Sequence, residues 1–418
     1  MNKTILHGER FGKVSIPASK SVAHRYLICA ALSRGENRLK INGISDDIRA
    51  TALCLDALFH NVSIKENEIV LSSPDFRTDT AAAELPCGES GTTLRLLLPL
   101  VGAFGINAVF LMKGRLPARP ISELELVLKK HGMKIEKRGD KLFCGGKLTC
   151  GEYKIPGDVS SQYISALLFA LPVVIGESTL EVTGSVQSKD YITLTENALK
   201  KAGVKIEKNG FFYKIKGDSE FSFPGILTVE GDWSAASAFL CMGAVSKCGI
   251  TVSPLDVLST QGDKELLEIL KKIGATVSID GENVTVKRGK LTPVVVDASN
   301  IPDVVPCLSA LLAAVKGESR IINAERLKFK ESNRLLSTSK MLSSLGAQIK
   351  ETDDGLIING CDTIAGGNAP TFDDHRIAMA AAVASSFCQN DVIVDNGLCV
   401  NKSYVNFFAD LERLEMCR

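Results

Sequence analysis

Apolar positions along the chain follow two alternating periods. Six stretches rich in small and apolar residues repeat at helical spacing, beginning near Lys20, Gly91, Ser161, Ser234, Asp303 and His375. Each runs about 15 residues to a turn, at Gly35, Gly105, Gly176, Gly249, Gly317 or Asn390, and a strand-like run follows. A second helix comes next. Five of these, over 48–59, 121–131, 192–202, 264–273 and 335–345, carry apolar residues at i, i+3, i+4 and i+7 and lead through a small turn into a further strand. A spacing of about 70 residues marks six copies of one supersecondary unit.

The sixth unit stops at its second helix, 404–415, where the chain ends. Two runs at the other end, 4–7 and 13–16, read as a hairpin-like pair that supplies its missing strands. Six units divide three and three. The prediction is an α/β fold of two similar domains, 18–228 and 1–17 plus 229–418, the second closed by the N-terminal strands. No Pro/Ser-rich linker interrupts the chain, so the connection near residue 228 is expected to be short and hinge-like. Helix N-termini present unpaired N–H groups, which suits them to anions. The helix starts of both domains are expected to face one cleft that closes around ligand.

Composition narrows the chemistry. Forty-nine Lys+Arg against 48 Asp+Glu leave a formal net charge of +1, so no global basic field advertises nucleic acid or an acidic membrane. Any anion site must come from local clustering. The 418 residues are 45% hydrophobic and 23% charged, ordinary for a soluble globular protein. Twelve cysteines are scattered singly, without a Cys-x-x-Cys pair. Cys29, Cys54, Cys241 and Cys307 sit beside apolar residues, and the set reads as buried thiols of a cytoplasmic protein. Residues 1–13 hold no apolar signal core. The most membrane-like stretch, 94–112, is broken by Arg95, Pro99, Gly102, Gly105 and Asn107 and reads as a buried helix-turn-strand.

Charged and hydroxyl residues gather at the helix starts. Lys20 and Arg25 flank Ser21, and lysine at a helix start opposes the macrodipole, so a partner anion is expected there. Cys87-Gly-Glu-Ser-Gly-Thr-Thr-Leu-Arg can bare backbone N–H groups to an anion around Gly91. Arg115 and Arg119 lie in the loop before Pro120, which is expected to open the next helix. Ser160, Ser161 and Gln162 begin another helix, where one serine suffices for capping and the second, with Gln162, suggests phosphate binding. Ser188 and Tyr191 precede the next. Asp303 reads either as an N-cap or as a general base in an apolar setting. Lys330, Glu331 and Arg334 fall on one expected helical turn, where like charges at i, i+4 repel unless an acid or a bound anion intervenes. Phe372-Asp-Asp-His-Arg opens the last repeat helix, with Arg376 as an anion clamp and too few ligands for a metal. Lys402 completes the basic set.

Taken in order, Lys-Ser near the start, Gly-x-x-Gly-Thr, Arg-Pro-Ile, Ser-Ser-Gln, Ile-Pro-Asp, Lys-Glu-x-x-Arg and Asp-His-Arg span nearly the whole chain. In this the sequence resembles the 5-enolpyruvylshikimate-3-phosphate synthases, enolpyruvyl transferases of the shikimate pathway toward chorismate and the aromatic amino acids. The resemblance implies an inside-out α/β barrel fold of two domains, each of three βαβαββ-type units. It implies condensation of shikimate 3-phosphate with phosphoenolpyruvate and loss of phosphate through a tetrahedral intermediate, with no metal or cofactor, in a cytoplasmic monomer that binds no nucleic acid or membrane. Carried over residue by residue, Lys20, Gly91, Arg119, Gln162, Arg334, Arg376 and Lys402 would hold phosphoenolpyruvate. Ser21, Arg25, Ser160, Ser161, Gln162, Ser188, Tyr191, Asp303 and Lys330 would hold shikimate 3-phosphate. Asp303 would take the proton of the attacking hydroxyl, and Glu331, with Lys20 as candidate partner, would protonate the methylene carbon. The substrates together bring roughly −5 to −6 of charge, which seven of these cations would offset.

Three positions depart from the family pattern: Glu89 and Arg326 stand where asparagine is common, and Val405 where proline is frequent. Gly91 implies that glyphosate, a competitor of phosphoenolpyruvate in the family, would bind. The related transferase acting on UDP-N-acetylglucosamine lacks the Ser-Ser-Gln set and carries a reactive loop cysteine, whereas Cys87 here precedes the loop. A catalytically inactive anion-binding relative is the alternative from another class, and intact Lys20, Asp303, Glu331 and Lys402 argue against it.

Overall fold

The computed structural model describes residues 1–75 and 82–417. The chain forms two compact units, Lys20–Val229 and Met1–Ser19 with Glu230–Arg418.

Within Lys20–Val229 the helices are α1 (Lys20–Ala31), α2 (Asp46–Phe59), α3 (Gly91–Phe104), α4 (Ser122–Lys130), α5 (Ser161–Ala170) and α6 (Lys189–Lys201). Within the other unit they are α7 (Trp233–Val245), α8 (Leu266–Ile273), α9 (Val305–Ala313), α10 (Arg334–Ser344), α11 (His375–Ser385) and α12 (Phe407–Arg413). The odd-numbered helices are apolar nearly all round and are therefore interior. Every residue of α7 and α11 is buried. They pack on one another, α3 on α5 in the first unit and α7, α9 and α11 together in the second. The even-numbered helices carry a single apolar stripe each, as the expected i, i+3, i+4 spacing requires.

Three sheets belong to each unit among the described residues. In Ala83–Gly88, α3, Ala108–Met112, α4, Met133–Arg138, Lys141–Gly146, the βαβαββ order gives a parallel pair, with the last strand inserted antiparallel between Ala108–Met112 and Met133–Arg138. Strands alternate buried and exposed residues, as in Phe212–Lys216, so each sheet has one face on the helices and one in water.

The N-terminal strands correct the expected hairpin. Lys3–Ile5 pairs antiparallel with Val392–Val394 and so completes the sixth repeat, but Arg10–Ser15 runs parallel to Ile250–Ser253 in the sheet of the fourth. The strand that would have started the first repeat is replaced by Ile226–Thr228, parallel to Asn37–Lys40. The repeats have exchanged their leading strands. Residues 17–19 and 230–232 lie side by side, with Ser19 N donating to Glu230 O at 2.7 Å and Asp232 N to Pro17 O at 3.0 Å. Gly231 is required there, because a Cβ would fall 1.9 Å from the Pro254 carbonyl oxygen.

Smaller departures have local causes. Pro120 does not open α4; the helix begins at Ser122 and Arg119 ends a 3-10 turn, Leu116–Ala118, in extended backbone. The expected helix 404–415 is shorter, because Glu415–Met416 leaves it to pair with Arg10 and Phe11. Not all thiols are buried: Cys150 and Cys248 are exposed and Cys361 and Cys417 half-buried.

Candidate active site

In the unit Lys20–Val229, four helix starts, those of α1, α3, α5 and α6, carry the expected residues. Lys20 opens α1 and its Nζ donates to Asp47 Oδ2 at 2.8 Å, both side chains mostly buried. The partner anion expected from the macrodipole argument is thus Asp47, in the first turn of α2, which Ser45 caps. Arg25, one turn further on, is buried and spends its guanidinium on protein groups. It donates to Thr195 Oγ1 at 2.8 Å, to the Ser21 carbonyl at 2.7 Å and to the Tyr191 carbonyl at 2.8 Å. Burial pulls its pKa down to about 10. Arg25 thereby ties the backbone of Ser21 to that of Tyr191.

Between them His24 is buried, with Nδ1 2.6 Å from Thr51 Oγ1. Burial first, then the charges of Lys20 and Arg25, hold its pKa well below 6.5, so it is neutral. The hydroxyls continue from Thr51 to Thr93 (2.6 Å) and from Thr93 to Ser90 (2.7 Å), the N-cap of α3. A buried hydrogen-bonded chain therefore joins the start of α1 to that of α3.

Gly91 begins α3. A Cβ there would meet Arg119 Nη1 at 2.6 Å and Arg95 Nη1 at 2.7 Å, so two guanidinium groups converge on this helix start because the residue has no side chain. Arg95 donates to Gln162 Oε1 at 3.0 Å and to the Pro120 carbonyl at 2.9 Å, while Gln162 Nε2 donates to Thr92 Oγ1 at 2.9 Å. Gln162, Gly91 and Arg119 thus fall in one cluster. Glu89 packs on Gly114, whose absent Cβ would lie 2.5 Å from its carboxyl carbon. Ser160 caps α5 by accepting from Gln162 N, and Ser161 follows it, buried. Ser188 precedes α6 in left-handed backbone, φ 51°, and its hydroxyl makes no capping bond.

In the other unit Arg334 is the centre. It is buried and touches three carboxylates: Nε donates to Asp374 Oδ2 at 2.8 Å, Nη1 to Asp303 Oδ1 at 2.6 Å and Nη2 to Glu331 Oε2 at 2.8 Å. Burial pulls its pKa down, but Asp374, Glu331 and Asp303 outweigh this and hold it well above the ordinary guanidinium value. Lys330 Nζ donates to the same Asp303 oxygen at 3.2 Å, and burial, opposed by Asp303, lowers its pKa. Two expectations change here. Val304, not Asp303, precedes α9, so the Asp303 carboxylate faces cations rather than capping the helix. Lys330 and Glu331 lie before α10, which Asn333 caps, so their charges do not repel along one helical turn.

Arg376 in the first turn of α11 is buried and donates to the Ser234 carbonyl at 2.7 Å. Burial lowers its pKa, Asp303 and Asp232 raise it, and the net effect is upward. Lys402 donates to the Asp373 carbonyl at 2.7 Å. Arg326 reaches the Ser299 carbonyl at 3.0 Å and bears on Lys330 through its charge. Among the described residues, no three His, Cys, Asp or Glu side chains could hold a metal ion.

Asp47, Arg95 and Asp374 were missed by sequence reasoning. Arg95 had a signal, a cation inside an apolar helix. Asp374 lay inside a motif already singled out, where the neighbouring His375 drew attention to metals. Asp47 lies just ahead of the expected helix 48–59, with no local signal to single it out.

The structure resembles an EPSP synthase from Acinetobacter baumannii, with a TM-score of 0.80 at 23% identity over 100% of both chains. It also resembles the enolpyruvyl transferase NikO from Streptomyces tendae, with a TM-score of 0.79 at 18% identity over 100% of this chain and 99% of that one. At such identities the likeness establishes the fold, the enolpyruvyl transferase fold of repeated α/β units. In sequence, the chain is 38% identical over 419 residues to a 3-phosphoshikimate 1-carboxyvinyltransferase of Clostridium perfringens (strain 13 / Type A), covering 99% of this chain and 98% of that one. It is 36% identical over 420 residues to one from Brachyspira hyodysenteriae, covering 99% of each. The family model for EPSP synthase (3-phosphoshikimate 1-carboxyvinyltransferase) matches residues 8–411. With fold, full-length identity and family pattern in agreement, the chain belongs to the EPSP synthase family.

Proposed function

We propose that the chain transfers the enolpyruvyl group of phosphoenolpyruvate to the 5-hydroxyl of shikimate 3-phosphate and releases phosphate, a step of aromatic amino acid biosynthesis. The observation that carries this reading is the full-length match to relatives named for that activity. The geometry supports it: every acidic residue given a catalytic role is already held by a cation.

Lys20, Gly91, Arg119, Gln162, Arg334, Arg376 and Lys402 hold phosphoenolpyruvate. Ser21, Arg25, Ser160, Ser161, Gln162, Ser188, Tyr191, Asp303 and Lys330 hold shikimate 3-phosphate. Arg25 acts in part through the backbone, since its guanidinium is committed to the Ser21 and Tyr191 carbonyls. Asp303 accepts the proton of the attacking hydroxyl as the oxygen bonds to C2 of phosphoenolpyruvate, and Glu331, with Lys20 as candidate partner, gives a proton to its methylene carbon. Loss of a proton from that carbon and departure of phosphate from C2 then regenerate the double bond. Two anionic substrates repel, so most of the rate comes from cations fixed in advance by Asp47, Asp374 and Gln162. A cytoplasmic monomer without metal or cofactor completes the reading. Twelve free thiols fit a reducing compartment, and no described helix is long and apolar enough to cross a membrane.

The test is phosphate release from the purified protein. Release that needs both substrates, and that falls by about a hundredfold or more in Asp303→Asn and Glu331→Ala, is expected. Release with phosphoenolpyruvate alone, or none with both, overturns the reading.

A further inference from the structure

Asp263 belongs to none of these assignments. It sits in the 3-10 turn Gly262–Glu265 and is 1% exposed. Its Oδ2 accepts from Ser234 Oγ, while its buried Oδ1 has no hydrogen-bond partner. Ser234 is the residue whose backbone carbonyl receives Arg376 Nη1 at 2.7 Å, and that carbonyl also receives Ser237 Oγ at 2.7 Å. Arg376 Nε is likewise buried without a partner. One serine thus joins an unused buried acid to a guanidinium assigned to phosphoenolpyruvate.

The charged groups facing Asp263 come from three elements. Asp232, the N-cap of α7, and Asp303, ahead of α9, are acids; Arg376 on α11 is the cation. On its own turn Lys264 points elsewhere, to the Val257 and Ser259 carbonyls. On α8, Glu268 pairs with Lys271 at the surface. Burial first, and then Asp303, push the Asp263 carboxyl up to about 7.

We propose that Asp263 is a positioning residue for Arg376, acting through Ser234, and that it holds a proton when phosphoenolpyruvate binds. The proposal rests on the assignment of Arg376 to that substrate. Physically, a second negative charge buried behind Arg376 would compete with the incoming anion for the same guanidinium. A protonated Asp263 leaves that guanidinium's charge to the ligand. By reciprocity, ligand anion at Arg376 favours the proton on Asp263.

The test is calorimetric titration of the full chain with phosphoenolpyruvate from pH 6 to 8.5, in wild type and Asp263→Asn. Binding is read directly, so a wrong assignment of the reaction would appear separately, as absent phosphate release with normal binding. Wild-type affinity is expected to weaken above pH 7, by up to about tenfold per pH unit. Asp263→Asn should bind with a flatter profile and take up less proton on binding. Ser234→Ala provides a second arm if the asparagine variant does not fold. It should weaken binding at every pH while keeping the wild-type slope. Matching profiles in wild type and Asp263→Asn, including no binding by either, overturn the proposal. So does unchanged affinity in Ser234→Ala.

Discussion

Arg334 and Asp374 meet in a two-point contact, Nε to Oδ2 at 2.8 Å and Nη2 to Oδ1 at 3.2 Å, with 1% and 0% of their side chains exposed. Asp374 is also the N-cap of α11 and accepts from Arg376 N at 2.9 Å. One carboxylate therefore orients two guanidinium-bearing segments.

Removing that carboxylate leaves a buried cation short of its two-point partner. Asp374→Ala is expected to destabilise the protein by about 3–5 kcal/mol, the range for breaking one side of a buried ion pair. Asp374→Asn should lose less, because it keeps the cap oxygen. Denaturant melts at pH 7 check this, with the midpoint of Asp374→Asn falling between the other two.

Gly91→Ala adds a methyl 2.6 Å from Arg119 Nη1 and 2.7 Å from Arg95 Nη1. Backbone strain plays no part, since this glycine has ordinary helical φ and alanine favours a helix. The melting temperature should hold or rise slightly. The KM for phosphoenolpyruvate should rise several-fold, about tenfold for each 1.4 kcal/mol of displaced contact, while the KM for shikimate 3-phosphate changes little. Steady-state kinetics with each substrate varied in turn decide it.

Arg25→Lys keeps a positive charge and loses the fork that reaches Thr195, Ser21 and Tyr191 together. Three hydrogen bonds from a buried cation, at about 1 kcal/mol each or somewhat more, predict a loss of about 2–4 kcal/mol. The KM for shikimate 3-phosphate should rise more than that for phosphoenolpyruvate. Equal changes in both would mean that Arg25 only supports the fold.

His24 gives a pH dependence with a definite sign. Its folded pKa lies well below 6.5, so between the two values the unfolded chain binds more protons. The stability it contributes is full above pH 6.5 and is lost as pH falls toward the folded value. His24→Asn should flatten that acid limb in melts recorded from pH 7 to 4.5. Asp263 acts in the opposite direction: its raised pKa makes stability fall as pH climbs from about 4 to 7.

Thiol accessibility offers an independent check on packing. Cys150 and Cys248 are exposed, Cys361 and Cys417 half-buried, and the other eight buried. A chromogenic disulfide reagent should modify two thiols quickly and two more slowly in the native protein, and all twelve after unfolding. Fast reaction of Cys29 or Cys241 would contradict their burial.

The repeat itself was legible in the sequence, because apolar period and turn residues are local properties. So were the helix starts at Lys20, Gly91, Ser161 and His375 and the set of cations near them. The sequence alone set the expectation of an anion site at several helix N-termini, since no net charge could supply one. Tertiary structure decided which strands pair. The run at 13–16 read as part of a pair closing the sixth repeat, yet Arg10–Ser15 pairs with Ile250–Ser253 of the fourth, and Ile226–Thr228 pairs with Asn37–Lys40 of the first, because strand pairing depends on which partner edge is free and not on the strand's own pattern. Tertiary structure also chose the partner of each charge. Nothing local assigns Asp47 to Lys20 or Asp374 to Arg334, residues 27 and 40 positions apart. Such pairs form where burial leaves a charge no water to turn to, and burial is a property of the folded whole.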